Sequence, residues 1–200
     1  MSHFTAVVLV DPRFRTSKEI GEEAERLLAP FNENTRVPPY EEECYCVRNR
    51  RDAEAGKAAR LAAGSPAEDA ESGDGKGEEE TCGECEGRGV ISSTYNPNSK
   101  WDWYRVGGRW DGSILEHLPT DLAAARNLTD AVSRNSARAG DLLPGSVSYA
   151  IITPDGEWIA RGKMGWFGMS RDEKDDWDEN STQIFRAYPD HTAVLYDLHI

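Results

Sequence analysis

Cys44-Tyr45-Cys46 and Cys82-Gly83-Glu84-Cys85 are the only cysteines of the chain, two close pairs with 35 residues between them. Four thiolates in two pairs fill the tetrahedral shell of a zinc ion and leave no position for water. The spacing predicts a structural Zn2+ on Cys44, Cys46, Cys82 and Cys85, clamping both ends of the excursion from Arg48 to Glu80 onto the domain. Cys-x-Cys is tighter than the common two-residue spacing, and free thiols or disulfides are the competing readings. The Met1-Ser2-His3-Phe4 start has no basic region before an apolar stretch, so a cytoplasmic chain with reduced thiols is expected. A redox Cys-x-x-Cys would open a helix, whereas Cys85 runs into Glu86-Gly87-Arg88-Gly89.

The densest signal for binding is Tyr95-Asn96-Pro97-Asn98-Ser99-Lys100-Trp101-Asp102-Trp103-Tyr104-Arg105-Val106-Gly107-Gly108-Arg109-Trp110. Lys100, Arg105 and Arg109 can meet an anion. Trp101, Trp103, Tyr104 and Trp110 offer flat faces for a base or another ring. Asn96-Pro97-Asn98 predicts a turn, after which Trp101 and Trp103 share one face of an extended segment and Asp102 takes the other. Gly107-Gly108 permits positive φ or a close approach by a ligand. Met164-Gly165-Trp166-Phe167-Gly168 adds Trp166 as the second half of the same surface. These residues predict a site for a small anionic aromatic ligand, nucleotide-like, or for a nucleic-acid end. The opposing reading puts the aromatics in the core and pairs Arg109 with Asp102.

Acid–base chemistry has fewer carriers. His3, His117, His191 and His199 are the four histidines, and none stands at helical metal-ligand spacing from another. His3 and His199 meet only if the first and last strands end on the same side. A phosphoesterase-like hydrolase would then draw on His199, Asp172, Glu173 and Asp102, with Lys100 or Arg109 stabilising negative charge. Asp172 and Glu173 also suit the start of a helix. The chain has no G-x-S-x-G, no phosphate-binding glycine loop ending in Lys-Ser/Thr and no dinucleotide fingerprint, which disfavours serine acyl transfer and nucleoside-triphosphate hydrolysis.

The elements that must position these groups are partly legible. Phe4–Val10 is an apolar run closed by Asp11-Pro12, a buried strand. Ser17 caps a helix carrying Ile20, Ala24, Leu27 and Leu28, stopped by Pro30. Further helices are predicted over Arg48–Ala63, Asp121–Ser136 and 172–187, the last with Trp177, Ile184 and Phe185 inward. Val147–Thr153 and Glu157–Arg161 flank Pro154-Asp155-Gly156 as a hairpin, and His191–Leu198 is a last strand. In order these give an α+β fold, a ferredoxin-like (split βαβ) antiparallel sheet with helices on one face and a large zinc-stapled insertion at about 31–144 in a single domain.

With 200 residues the chain fits one domain with an insertion, and its negative mean hydropathy with no apolar run near 20 residues excludes a membrane span. A net charge of −13 argues against coating nucleic acid. Residues 66–86 hold nine carboxylates against Lys76, so they alone supply −8. Gly64 to Gly77 is too poor in apolar groups to order itself, and a mobile acidic loop is expected at about 64–80. The rival reading of that run is a mimic of DNA phosphates.

Cys82-Gly83-Glu84-Cys85-Glu86-Gly87-Arg88-Gly89 resembles one repeat of the cysteine-rich region of J-domain co-chaperones, which implies glycines that turn backbone amides toward sulfur. Over almost its whole length the chain resembles a family of uncharacterised proteins of tailed bacteriophages and actinobacteria. The match rests on Met1–Phe4, Leu28–Asn34, Glu43-Cys44 with Cys46, Cys82 and Cys85 before Gly87 and Gly89, and Ser93–Pro97. It continues through Lys100–Tyr104, Gly107–Trp110, Met164–Gly168, Asp172–Asp175 and His199-Ile200. The resemblance brings no activity, but implies a protein of the host-cell cytoplasm that counters host defence. The expected function is therefore a zinc-stabilised binding protein; a hydrolase of the same ligand class and a module docking on a host protein are the alternatives.

Overall fold

The computed structural model describes residues 2–62, 82–145, 147–164 and 170–200; Trp166 and the acidic run at about 64–80 lie outside them. In chain order the elements begin with β1 (His3–Val10), α1 (Ser17–Leu28), β2 (Tyr40–Glu43), α2 (Tyr45–Ala62), β3 (Val90–Ser93) and β4 (Trp103–Val106). They continue with α3 (Thr120–Ala124), α4 (Ala131–Arg134), β5 (Ser136–Arg138), β6 (Ala150–Ile152) and β7 (Trp158–Ala160). The last are β8 (Lys163–Met164), β9 (Ser170–Arg171), α5 (Trp177–Ala187) and β10 (Thr192–His199). Two compact units result: residues 1–36 with 95–200, and residues 37–94.

The larger unit is mixed α+β. Its sheet runs β4-β10-β1-β6-β7, with β5 also on β10. β1 and β10 pair antiparallel over their full lengths, from His3 opposite His199 to Val10 opposite Thr192. Side chains alternate across this pair. Ala6, Val8, Val10, Val194, Tyr196 and Leu198 pack with Ala24, Leu27 and Leu28 of α1 and with Phe31 and Trp101. Val7, Leu9, Ala193 and Leu195 pack with Ile114, Leu118, and Trp177 and Phe185 of α5. The sheet is thus covered on both faces, not one, and that is why Ala6–Val10 is apolar without a break.

β1 and β6 lie side by side and parallel, and β7 returns antiparallel to β6. A split βαβ would place a strand between the two parallel ones, so this pairing departs from the ferredoxin-like arrangement. Residues 95–144, assigned from sequence to the insertion, belong with the sheet: β4 and β5 both hydrogen-bond to the outer edge of β10. The predicted helix at 121–136 is broken because Asp130 starts a new turn, its carboxylate accepting from the Ser133 amide. The cap of α1 is Thr16, one residue before the expected Ser17. The hairpin β6–β7 forms as read, with Gly156 at φ 87° in its turn.

The smaller unit is a ribbon of β2 and β3, Tyr40 opposite Ser93 and Glu43 opposite Val90. The helix α2 begins at Tyr45, earlier than its composition suggests, so that Cys46 falls in its first turn.

Candidate functional site

The β2–β3 ribbon brings the cysteine pairs together. Cys44 follows β2 directly and its amide donates to the Gly89 carbonyl (2.8 Å), just before β3. The four sulfurs lie within 4.8 Å of one another, with Cys44–Cys82 at 3.7 Å and Cys46–Cys85 at 3.6 Å. Four sulfurs held about 2.3 Å from one ion at tetrahedral angles are about 3.8 Å apart, so the cluster has metal-site dimensions rather than disulfide ones. All four are free cysteines. The turn after Cys85 needs unusual backbone: Glu86, Gly87 and Gly89 have φ of 51°, 82° and 76°. Before that turn, the amides of Cys85 and Glu84 point at the Cys82 sulfur and hold its thiol down at about 6. The Gly89 and Gly87 amides lower the Cys85 thiol in the same way, whereas the Cys44 sulfur beside it raises Cys46. Amides pointing at thiolates are the environment a bound metal requires.

The aromatic strip does not form one surface. Trp101 is 3% exposed and sits in the core against Tyr104, ring centroids 5.1 Å apart. Trp103 is 49% exposed. They do not share a face because Trp101 bridges Asn32 before β4 begins at Trp103. Asn96 secures this entry: buried, it donates to the carbonyls of Pro30 (2.7 Å) and Asn32 (2.9 Å) and accepts from Asn98 in the expected turn. Trp110 packs on the second core, and Arg105 and Arg109 are exposed. Asp102 pairs with His199, at 2.6 Å from Nδ1, instead of with Arg109.

The predicted catalytic quartet is also divided. His199 keeps Asp102, but Asp172 pairs with Lys163 (2.9 Å) and Glu173 with Arg161 (3.0 Å). Sequence reasoning missed the pair His3–Asp197, Nδ1 to Oδ1 at 2.7 Å. His3 and His199 do meet, with ring centroids 5.1 Å apart, because β1 and β10 end together.

A cavity of about 450 Å³ opens on the other face at this end of the sheet, within the usual range of roughly 300–1,000 Å³ for ligand sites. Phe4, Tyr149 and Trp158 form aromatic wall, and Lys100, Lys163, Lys174 and Asp172 bring charge. Phe4 stands edge-on to Tyr149 (5.6 Å) and to Trp158 (6.4 Å). Burial raises the Tyr149 phenol, which bonds the Ser170 hydroxyl at 2.9 Å. Lys163 is paired with Asp172, while Lys100 and Lys174 have no ion pair among the described residues. Among the described residues, Lys100 is thus the one member of the predicted ligand set that lines the cavity, as Asp172 is of the catalytic set. Lysines after β7 and a tryptophan in a short hairpin gave no sequence signal; only the β1 alternation that sends Phe4 and His3 to opposite faces bears on the cavity.

No family model, no curated protein and no solved structure matches the chain. Among the described residues no helix is long and apolar enough to cross a membrane.

Proposed function

We propose that the protein is a zinc-braced binding protein that takes a small anionic aromatic ligand, nucleotide-like, into the cavity beside Lys100. The cavity itself carries this reading: aromatic walls for a ring and two ammonium groups, Lys100 and Lys174, with no ion pair among the described residues, for an anion, on a chain whose net charge is −13. A surplus of local positive charge in an acidic chain favours an anionic occupant. Zinc is supported by four sulfurs with no place for a fifth ligand, which makes its role structural.

Titration calorimetry with adenosine 5′-monophosphate tests the cavity. Saturable binding is expected, weakened about tenfold by Lys100→Ala or Lys174→Ala, the worth of one charge-assisted contact of about 1.5 kcal/mol. Absence of binding to the unaltered protein refutes it. Metal analysis of protein purified without chelator should give about one zinc per chain, lost in Cys82→Ser or Cys85→Ser. Iron in its place would keep the centre and overturn zinc; no metal would overturn both.

A further inference from the structure

Phe4, which lines the cavity, and Leu198 pack on one face of the sheet, so His3 and His199, each one residue away on the same strand, face the opposite side. The register sets six side chains on that side: His3 opposite His199, Thr5 opposite Asp197, and Trp103 and Arg105 opposite His199 and Asp197. The His3 ring lies edge-on to His199 at 5.1 Å and to Trp103 at 6.0 Å.

Asp197 is the pivot. Its side chain is 2% exposed, and both oxygens are engaged: Oδ1 with His3 Nδ1 at 2.7 Å, Oδ2 with the Arg109 amide at 3.0 Å. Gly108, at φ 50°, brings that amide in, and a Cβ on it would stand 2.4 Å from Asp197. A carboxylate so placed takes the proton on Nδ1 and leaves Nε2 of the neutral ring as the bare nitrogen. His3 Nε2 has no hydrogen-bond partner among the described residues, and the side chain is 13% exposed. His199 is turned the same way by Asp102, but its Nε2 is buried. It therefore holds the His3 ring edge-on and does not itself reach a substrate. The Trp103 indole beside His3 is half-exposed, and two exposed arginines flank Asp197: Arg105 stands opposite it on β4 and Arg109 gives it its backbone amide, neither with an ion pair among the described residues, Arg105 acting on Asp111 at longer range.

We propose that His3 is the general base of a phosphate-ester hydrolysis, with Asp197 and His199 as positioning residues, the guanidiniums holding the phosphoryl oxygens and Trp103 a ring of the ester. In this step water attacks phosphorus while His3 Nε2 takes one of its protons. The new P–O bond forms, the ester P–O bond breaks, and the leaving oxygen keeps the bonding pair and takes a proton from solvent. The imidazolium then returns its proton to solvent, so one water is consumed per ester cleaved. The site stands apart from the cavity, and neither reading depends on the other.

The test is turnover of 4-nitrophenyl phosphate and bis(4-nitrophenyl) phosphate by the full chain. Release of 4-nitrophenolate above blank is expected with one of them, falling about 100-fold or more in His3→Gln with the thermal midpoint kept. A nucleoside 5′-monophosphate and a 5′-phosphorylated oligonucleotide then separate a free ligand from a nucleic-acid end. Nitrogen-15 shifts of His3 supply a second readout: the neutral ring should carry its proton on Nδ1, and Asp197→Asn should move it. Turnover of neither aryl ester, equal turnover in His3→Gln, or a proton on Nε2 of neutral His3 would overturn the assignment, even where Asp197→Asn fails to fold.

Discussion

Asn135 is fully buried, and its side-chain amide satisfies three groups at once. It accepts from the Gly112 amide at 2.7 Å and donates to Asp111 Oδ1 at 2.6 Å and to the Ala131 carbonyl at 2.9 Å. Gly107 passes so close that a Cβ there would be 2.3 Å from the Asn135 oxygen, at a φ of 66° that already disfavours a side chain. The double glycine thus serves a buried amide and a buried carboxylate, not a ligand's approach. Asn135→Ala strands buried polar groups and should cost about 1–3 kcal/mol in urea denaturation; a loss below measurement would show the hub to be dispensable. At this scale the cysteines were legible because metal ligation has a spacing. His3 and Asp197 were not, because they stand 194 positions apart in the chain and only the strand register joins them.

The long strands and α1 could be read from sequence because two-sided or one-sided burial leaves a period in the apolar residues. The edge strands β4 and β5 could not: four and three residues long, they take their place from β10. The helix α1 starts on a capping box, in which the Glu19 amide donates to the Thr16 hydroxyl (3.2 Å) and Glu19 accepts from the Thr16 amide (3.1 Å). Thr16→Ala should cost about 1 kcal/mol by thermal denaturation. The Thr16 amide, and after it that of Arg15, holds the Glu19 carboxyl below its ordinary 4.5. A lowered carboxyl stabilises the fold above its unfolded value and loses that contribution as pH falls through the folded one. The gap between Glu19→Gln and the parent should therefore narrow on acidification below the ordinary value; a gap independent of pH would show that the Glu19 carboxylate takes no part.

For the whole molecule, sequence anticipated the meeting of the two cysteine pairs and an α+β fold, but not which residues separate from the sheet or that helices cover both faces. Those depend on β1 pairing directly with β6, a contact between residues about 145 apart that no local pattern records. If the metal braces residues 37–94, a chelator that strips it should speed hydrogen exchange at the amides of Cys44, Glu86 and Arg88, whose acceptors are Gly89, Cys82 and Cys85. Exchange in β1 and β10 should stay slow, because their burial owes nothing to the sulfurs. Equal protection in the metal-free protein would make the cysteines a packing cluster only.

The cavity reading is decided most directly by an amide and indole nuclear magnetic resonance titration with adenosine 5′-monophosphate. The account predicts saturable shifts at the Trp158 indole and at the amides of Lys100, Gly162 and Lys163, with the Trp177 indole, bonded to Ser148 on the other face, unmoved. Unchanged resonances at those positions, or shifts confined to Trp103 and Arg109, would contradict it.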